Sequence, residues 1–209
     1  MKMKNIFDEN YKKYDKWYDD NKFAYLSEVE AVKKVLPTKG YGLEVGVGSG
    51  RFAAPLNISI GIDPSKKAIE LAKGRGVDVR SGIGEELPFK DSTFDYAAMI
   101  VTLCFVQDPD KVIIEASRVL KPKGKLVIGI VDKESFLRKS YQEKGSIFYE
   151  YARFFDIEEI VQILKTDGFS DFSYYQTIFD YPEKLKTVEE PQEGFGKGGF
   201  VVIGAINGE

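Results

Sequence analysis

The ten residues Leu43-Glu44-Val45-Gly46-Val47-Gly48-Ser49-Gly50-Arg51-Phe52 constrain the fold more than any other stretch of the chain. A short apolar run gives way to three glycines at alternate positions and then to a helix start. Glycines loosen the backbone and cost ordering entropy, so a plain strand-to-helix turn does not call for three of them. They suit a turn with positive φ where a ligand comes close to the main chain. The spacing departs from two common nucleotide loops. G-x-G-x-x-G would need its third glycine where Arg51 stands, and G-x-x-x-x-G-K-[S/T] is absent. What remains is G-x-G-x-G, with the acid Glu44 two residues ahead of it.

A second acid, Asp63, closes the run Ile60-Gly61-Ile62-Asp63-Pro64. At the carboxyl end of a strand it can accept hydrogen bonds from both ribose hydroxyls of an adenosine ligand. It can also cap the next helix, since Pro64 suits a first helical position. The two roles are compatible.

Around these segments, short apolar runs alternate with helical ones. Strands are expected at 43–45, 58–62, 77–79, 96–101 and 126–131, with helices at 52–56, 64–73 and 110–120. Such alternation predicts a doubly wound α/β fold. Near the C-terminus, Asp156 and Glu159 form a capping-box pattern for a helix that Gly168 ends. Two strands follow, at 172–179 and 200–206, separated by a Pro- and Gly-containing stretch with no crossover helix. They are expected to be antiparallel neighbours in a seven-stranded, mostly parallel sheet whose last strand is antiparallel. The glycine-rich 194–199 segment has no strand before it and no helix after it, and reads as the lead-in to that last strand. Ahead of the sheet, Phe7, Tyr11, Tyr14 and Tyr18 share one helical face, with Trp17 beside them, and a second helix is expected at 25–36. The expected division is a helical cap or lid at 1–36 and a ligand-binding domain at 37–209.

Composition removes several chemistries. The 209 residues include no histidine and one cysteine, Cys104. Ser-His-Asp and Cys-His catalysis, histidine-bound metals and cysteine-rich zinc or iron–sulfur sites are excluded, so no metal is expected. With 30 basic and 33 acidic residues the net charge is −3, and no nucleic-acid footprint is evident. No apolar run approaches the ~20 residues of a membrane helix, and the first residues lack a signal-peptide core. A cytoplasmic location is the expectation.

Taken together, these motifs resemble the class I S-adenosylmethionine-dependent methyltransferases. The closest likeness is to the small-molecule subgroup that includes the ubiquinone/menaquinone biosynthesis enzymes. Glu44 to Gly50 is similar to the family's first motif and Gly61-Ile62-Asp63 to its second. Leu87-Pro88-Phe89 with Ser92-Thr93-Phe94-Asp95, and Arg118-Val119-Leu120-Lys121-Pro122-Lys123-Gly124, resemble segments before its fourth and fifth strands. The resemblance implies S-adenosyl-L-methionine as cofactor. It places Gly46, Gly48 and Gly50 with Glu44 under the methionine part, and Asp63 and Pro64 at the ribose. Gly82, Ile83, Gly84 and Glu85 would border the adenine, and Met99 and Ile100 would face the sulfonium. Ile83 stands where the family commonly has an acid, and Lys123-Gly124 where it has a double glycine.

The implied reaction is in-line methyl transfer to a small-molecule acceptor, which needs alignment more than acid–base groups and leaves the catalytic residues unknown. Tyr14, Trp17, Tyr18 and Asp132 are the candidate acceptor contacts, although an aromatic stripe also serves as packing and Asp132 also suits an exposed loop. A non-catalytic S-adenosylmethionine-binding regulator and a nicotinamide-dependent oxidoreductase are the competing readings.

Overall fold

A strand forms at each expected apolar run, although the third is displaced, covering Val79–Ser81 where 77–79 was expected. The computed structural model describes residues 2–208, with side chains described from Ile6 onward. Two helices open the chain, α1 (Lys2–Asp20) and α2 (Lys22–Val35). There follow β1 (Gly42–Val45), α3 (Ala53–Leu56), β2 (Ile60–Asp63), α4 (Lys66–Gly74), β3 (Val79–Ser81) and β4 (Phe94–Ile100). The remainder is α5 (Pro109–Val119), β5 (Leu120–Val131), α6 (Phe136–Glu143), α7 (Ile157–Thr166), β6 (Ser170–Thr177), β7 (Gln192–Glu193) and β8 (Phe200–Ile206).

The sheet runs in the order β3-β2-β1-β4-β5-β8-β6-β7. The first five strands are parallel. Strand β8 inserts antiparallel between β5 and β6, so the two C-terminal strands are antiparallel neighbours. The sheet has one strand more than the sequence suggests. The extra one is β7, two residues on the outer edge of β6, too short to leave a periodic signal.

Helices cover both faces. Along β4, Tyr96, Ala98 and Ile100 point into the layer beneath α1, α2 and α4, while Ala97 and Met99 point into the layer of α5 and α7. Two distant motif segments meet on the second side. Arg118 donates to the carbonyls of Leu87 (3.0 Å) and Phe89 (2.8 Å) and pairs with Glu115, whose other oxygen takes the Leu87 N–H (2.7 Å). Lys123 adopts φ 62°, the left-handed conformation for which a glycine would be better suited.

Two features depart from the sequence reading. Helix α1 is kinked at Asn10 (φ −116°, ψ 16°), whose side chain donates to the carbonyl of Ile6 (3.0 Å). An Asn side chain that competes for the backbone in this way interrupts a helix. Helix α6 was not anticipated. It has eight residues, is capped by Ser135, and buries Leu137, Ser140 and Tyr141, a stripe too short to stand out from the surrounding loop. A strand does precede the 194–199 segment, since β7 ends at Glu193, but the segment is still the lead-in to β8, with the Lys197 and Gly198 N–H groups taken by Gln176 Oε1 (2.8 Å each).

The capping box at α7 is complete: Asp156 accepts from Glu159 N (2.8 Å) and Glu159 accepts from Asp156 N (2.9 Å). Asp156→Ala should cost about 1 kcal/mol and lower Tm by roughly 2–4 °C in a chain of this size, measurable by calorimetry. An unchanged Tm would show that the helix is held by its apolar face alone.

Candidate functional site: a cleft at the strand ends

Parallel strands β1, β2 and β4 end side by side, and a cleft of about 510 Å³ opens above their carboxyl ends. That is where open α/β sheets place their ligands. The loop after β1 is held from below: Gly46 and Val47 N–H groups both donate to the carbonyl of Ile62 (2.8 and 3.1 Å). Thr102 Oγ1 donates to Val45 O (3.0 Å) beneath the turn. Gly46 takes φ 72°, and a Cβ on it would lie 2.4 Å from Thr102 Cγ2. Gly48 takes φ 52°, and a Cβ there would meet nothing within 4 Å. One glycine is demanded by packing and the other leaves bare main chain open to the cleft.

Asp63 is buried at the end of β2. Its Oδ2 accepts the Gly48 N–H (2.9 Å) and its Oδ1 the Ser65 N–H (2.8 Å). Burial pushes its carboxyl above the usual range, and the two N–H groups partly oppose that. It does not cap the next helix: Ser65 is the cap, accepting from Ala68 N (3.2 Å), and α4 begins at Lys66. Glu44 is 1% exposed. Burial drives its carboxyl well up despite a bond from the Ala53 N–H, and its Oε2 is a buried polar atom without a partner. Such an atom costs free energy unless a ligand meets it.

The cleft gathers most of the residues singled out from the sequence: Glu44, Gly46, Gly48, Asp63, Pro64, Gly82, Ile83, Gly84, Glu85 and Ile100 line it, as do Tyr14 and Tyr18. Four others stand away from it. Gly50 supports the loop from behind, where a Cβ would lie 3.1 Å from Ala72 and Val77. Met99 is fully buried on the opposite face, because side chains alternate along β4. Trp17 does not line the cleft and packs edge-on to Tyr18 and Tyr141. Asp132 is buried and shapes the turn into α6, accepting from Glu134 N (2.9 Å).

The sequence reading missed the wall supplied by Thr102, Phe105, Val106, Gln107, Asp108 and Lys111. These lie on the turn Leu103–Phe105 and the start of α5. The Asp108-Pro109 cap-and-first-turn pair was the available signal: Asp108 accepts from Lys111 N (3.1 Å). Glu85 ties the two sides of this end together by accepting the Gln107 N–H (2.9 Å).

Helix α1 roofs the cleft with Phe7, Tyr11, Tyr14 and Tyr18. Phe7 packs against Tyr14, Phe105 and Phe148 with ring centroids 5.0–5.4 Å apart. Three acids fasten the helix, Asp19 by accepting from Arg51 (2.8 and 2.9 Å). Asp8 accepts from Ser65 Oγ (2.6 Å). Asp15 accepts from Ser49 Oγ (2.5 Å), Arg51 (2.8 and 2.9 Å) and Arg75 (2.8 Å). Burial opposes the charge of Asp15, but these donors prevail and hold its carboxyl down at about 2.

Strands, loop and cleft together define a nucleotide-type ligand site on a class I methyltransferase fold. Comparison with known proteins supplies the family. A methyltransferase domain model matches residues 43–128. An uncharacterized protein of Methanocaldococcus jannaschii is 49% identical over 203 residues, 96% of this chain and 98% of its own. A crystal structure from Thermotoga maritima, described as a SAM-dependent methyltransferase and "possible histamine N-methyltransferase", superposes with a TM-score of 0.95 at 47% identity, covering 98% of this chain and 99% of that one. A ubiquinone/menaquinone biosynthesis C-methyltransferase of Rickettsia rickettsii is 30% identical over 182 residues, 77% of this chain and 70% of its own. The chain belongs to the S-adenosylmethionine-dependent methyltransferase family.

Asp15→Ala should loosen α1 and cost about 2–3 kcal/mol, since it removes several charge-assisted bonds. The native carboxyl titrates at about 2, below the ordinary 3.8. The stabilisation is therefore full above pH 3.8 and is lost as pH falls toward 2. Thermal unfolding of wild type and variant should differ at pH 6 and converge at pH 2. A gap that persists at pH 2 would assign the loss to packing.

Proposed function

We propose that this protein is a catalytic methyltransferase that binds S-adenosyl-L-methionine in the strand-end cleft and methylates a small molecule held beneath the aromatic face of α1. Within its family we assign it to the small-molecule subgroup; the quinone C-methyltransferase relatives and the family-like 87–89 and 118–124 segments support this. The observation that carries the reading is the cradle itself: bare main chain at Gly48 between the hydrogen-bonded Asp63 and the unpartnered Glu44 Oε2.

The residues present fit the cofactor. Asp63 would hold the ribose, its orientation fixed by Gly48 and Ser65. Glu44 Oε2 would meet a polar group at the methionine end, with the Gly46–Gly48 main chain alongside. Gly82 to Glu85 would border the adenine, against the exposed face of Ile83. Bound cofactor supplies a methyl group made electrophilic by its positively charged sulfur. The protein's own contribution is positional. The aromatic roof excludes water and orients the acceptor, as closing elements do. Burial pushes the hydroxyls of Tyr14 and Tyr18 far above their ordinary range, so both stay protonated and act as hydrogen-bond donors rather than bases.

Calorimetry should detect S-adenosylmethionine and S-adenosylhomocysteine binding and much weaker binding of NAD. Preferential binding of NAD would refute the cofactor assignment. Asp63→Ala should weaken cofactor binding by about ten- to a hundredfold, or ~1.5–3 kcal/mol. Radiolabel transfer into any acceptor would separate an enzyme from a cofactor-binding regulator. Removal of residues 1–22 should leave cofactor affinity within about tenfold and abolish transfer. A folded truncation that transfers normally would show the aromatic face to be packing alone.

A further inference from the structure

Beneath the roof lies a carboxyl that the proposed cofactor site does not use. Glu28, on the buried face of α2, is 3% exposed. Its side chain takes part in no hydrogen bond or ion pair among the described residues, and burial alone pushes its carboxyl up to about 8. A buried acid without a partner is a standing cost that folding alone does not require. A cluster of tyrosines lies within its electrostatic reach: Tyr14 and Tyr18 of α1, Tyr25 of α2 itself, Tyr141 of α6, and Tyr149 beyond it. Tyr14 and Tyr18 touch through their hydroxyls (3.4 Å) and also line the cleft, and Tyr25, three residues before Glu28 and so beside it on α2, packs edge-on to Tyr18 with ring centroids 5.2 Å apart.

Among the described residues, no cation pairs with this acid. Arg51 lies 5.6 Å from the Tyr18 ring centre but is committed to Asp15 and Asp19. Lys144 is paired with Glu183 (2.8 Å), with both side chains half exposed. Lys184 is paired with Asp180. Lys125 of β5 lies beside Gly204 and Val35, about 10 Å along α2 from Glu28 at 1.5 Å per residue. Tyr175 of β6 packs against the same core as an uncharged ring, while α3 and β8 contribute no titratable side chain. The surroundings of Glu28 are aromatic, hydroxyl-rich and short of positive charge.

Building on the methyltransferase reading, we propose that the acceptor is a small molecule bearing an ammonium group, received by the faces and hydroxyls of Tyr14 and Tyr18 with Glu28 as the counter-charge behind them. Aromatic faces attract cations, and in a water-poor interior an ionised carboxylate behind them adds a long-range attraction. Near neutral pH the free protein holds Glu28 as the neutral acid. Arrival of the cation favours the carboxylate, so the Glu28 proton passes to solvent as the ammonium binds, and the charge of the chamber is unchanged. A neutral acceptor of the same shape gains nothing from this exchange.

The test uses the full chain loaded with S-adenosylhomocysteine, with three probes: 2-phenylethylamine, its isostere 2-phenylethanol, and the permanently charged trimethyl(2-phenylethyl)ammonium. Titration calorimetry at pH 7 in buffers of different ionisation enthalpy reads affinity and proton release together. The amine is expected to bind at least tenfold more tightly than the alcohol. The permanent cation, which has no proton to give, is expected to release most of one proton per site. Glu28→Gln should erase both the preference and the release while S-adenosylhomocysteine still binds. Absence of any preference for the cations, whether through equal binding or none, overturns the inference. So does a Glu28→Gln protein that keeps the preference. Proton release by the wild type decides the matter even where that variant fails to fold. Failure of S-adenosylhomocysteine itself to bind would instead overturn the cofactor assignment.

Discussion

The hydrogen bond from the Gly48 N–H to Asp63 Oδ2 joins the two loops on which the cleft is built. Parallel pairing of β1 with β2 sets Val45 opposite Ile62, so both strands deliver their last residues to one level. The bond then fixes the height of the glycine turn above that level. It also begins a polar chain that leaves the sheet altogether. Asp63 accepts from Ser65 N, Ser65 Oγ caps α4, and the same hydroxyl donates to Asp8 of the roofing helix. Loop, helix start and roof are thereby registered to one carboxylate. Its burial is tolerable because each oxygen already has a main-chain donor.

The acids of this protein fall into two kinds. Asp15, Asp95 and Glu115 are fully engaged: guanidinium, ammonium, hydroxyl or main-chain donors surround them and lower their affinity for protons. Glu44 and Glu28 are the opposite, enclosed with few or no donors and pushed toward the neutral form by burial. The first kind holds the scaffold in place. The second kind is stable in the fold only as an uncharged acid, or with a ligand to complement it.

The fold was legible in the sequence to the extent that periodicity and punctuation carry it. Alternation of short β-branched runs with helical ones announced the sheet, and the Asp156/Glu159 pair announced α7 to the residue. Strand β7 and helix α6 were not legible, since neither is long enough to establish a period. At the site, the glycine turn and Asp63 could be read because special backbone geometry demands special residues. Met99 was misplaced for a simple reason: in a strand buried on both faces, neighbouring residues are equally apolar, and composition does not say which faces the ligand. The 102–111 wall was unreadable as a wall. Its residues are ordinary, and they reach the cleft only because β4 ends beside β1. Glu28 gave no sign at all, since a glutamate in a helix is ordinarily taken as exposed.

The kink at Asn10 divides the roof into two pieces with unequal moorings. Among the described residues, the segment before it is held by Asp8, which accepts from Ser65 Oγ and Lys67 N, and by the ring packing of Phe7. The segment after it is fastened through Asp15 and Asp19 to both Arg51 and Arg75. A rigid rod of this length would have to break every mooring at once to uncover the cleft. A jointed one uncovers it in stages, the weakly tied end first, so access to the two halves of the cleft is ranked by the strength of the ties along a single helix. The asymmetry resembles a door with a latch at one edge and a hinge-pin at the other, and it is set by the position of one asparagine.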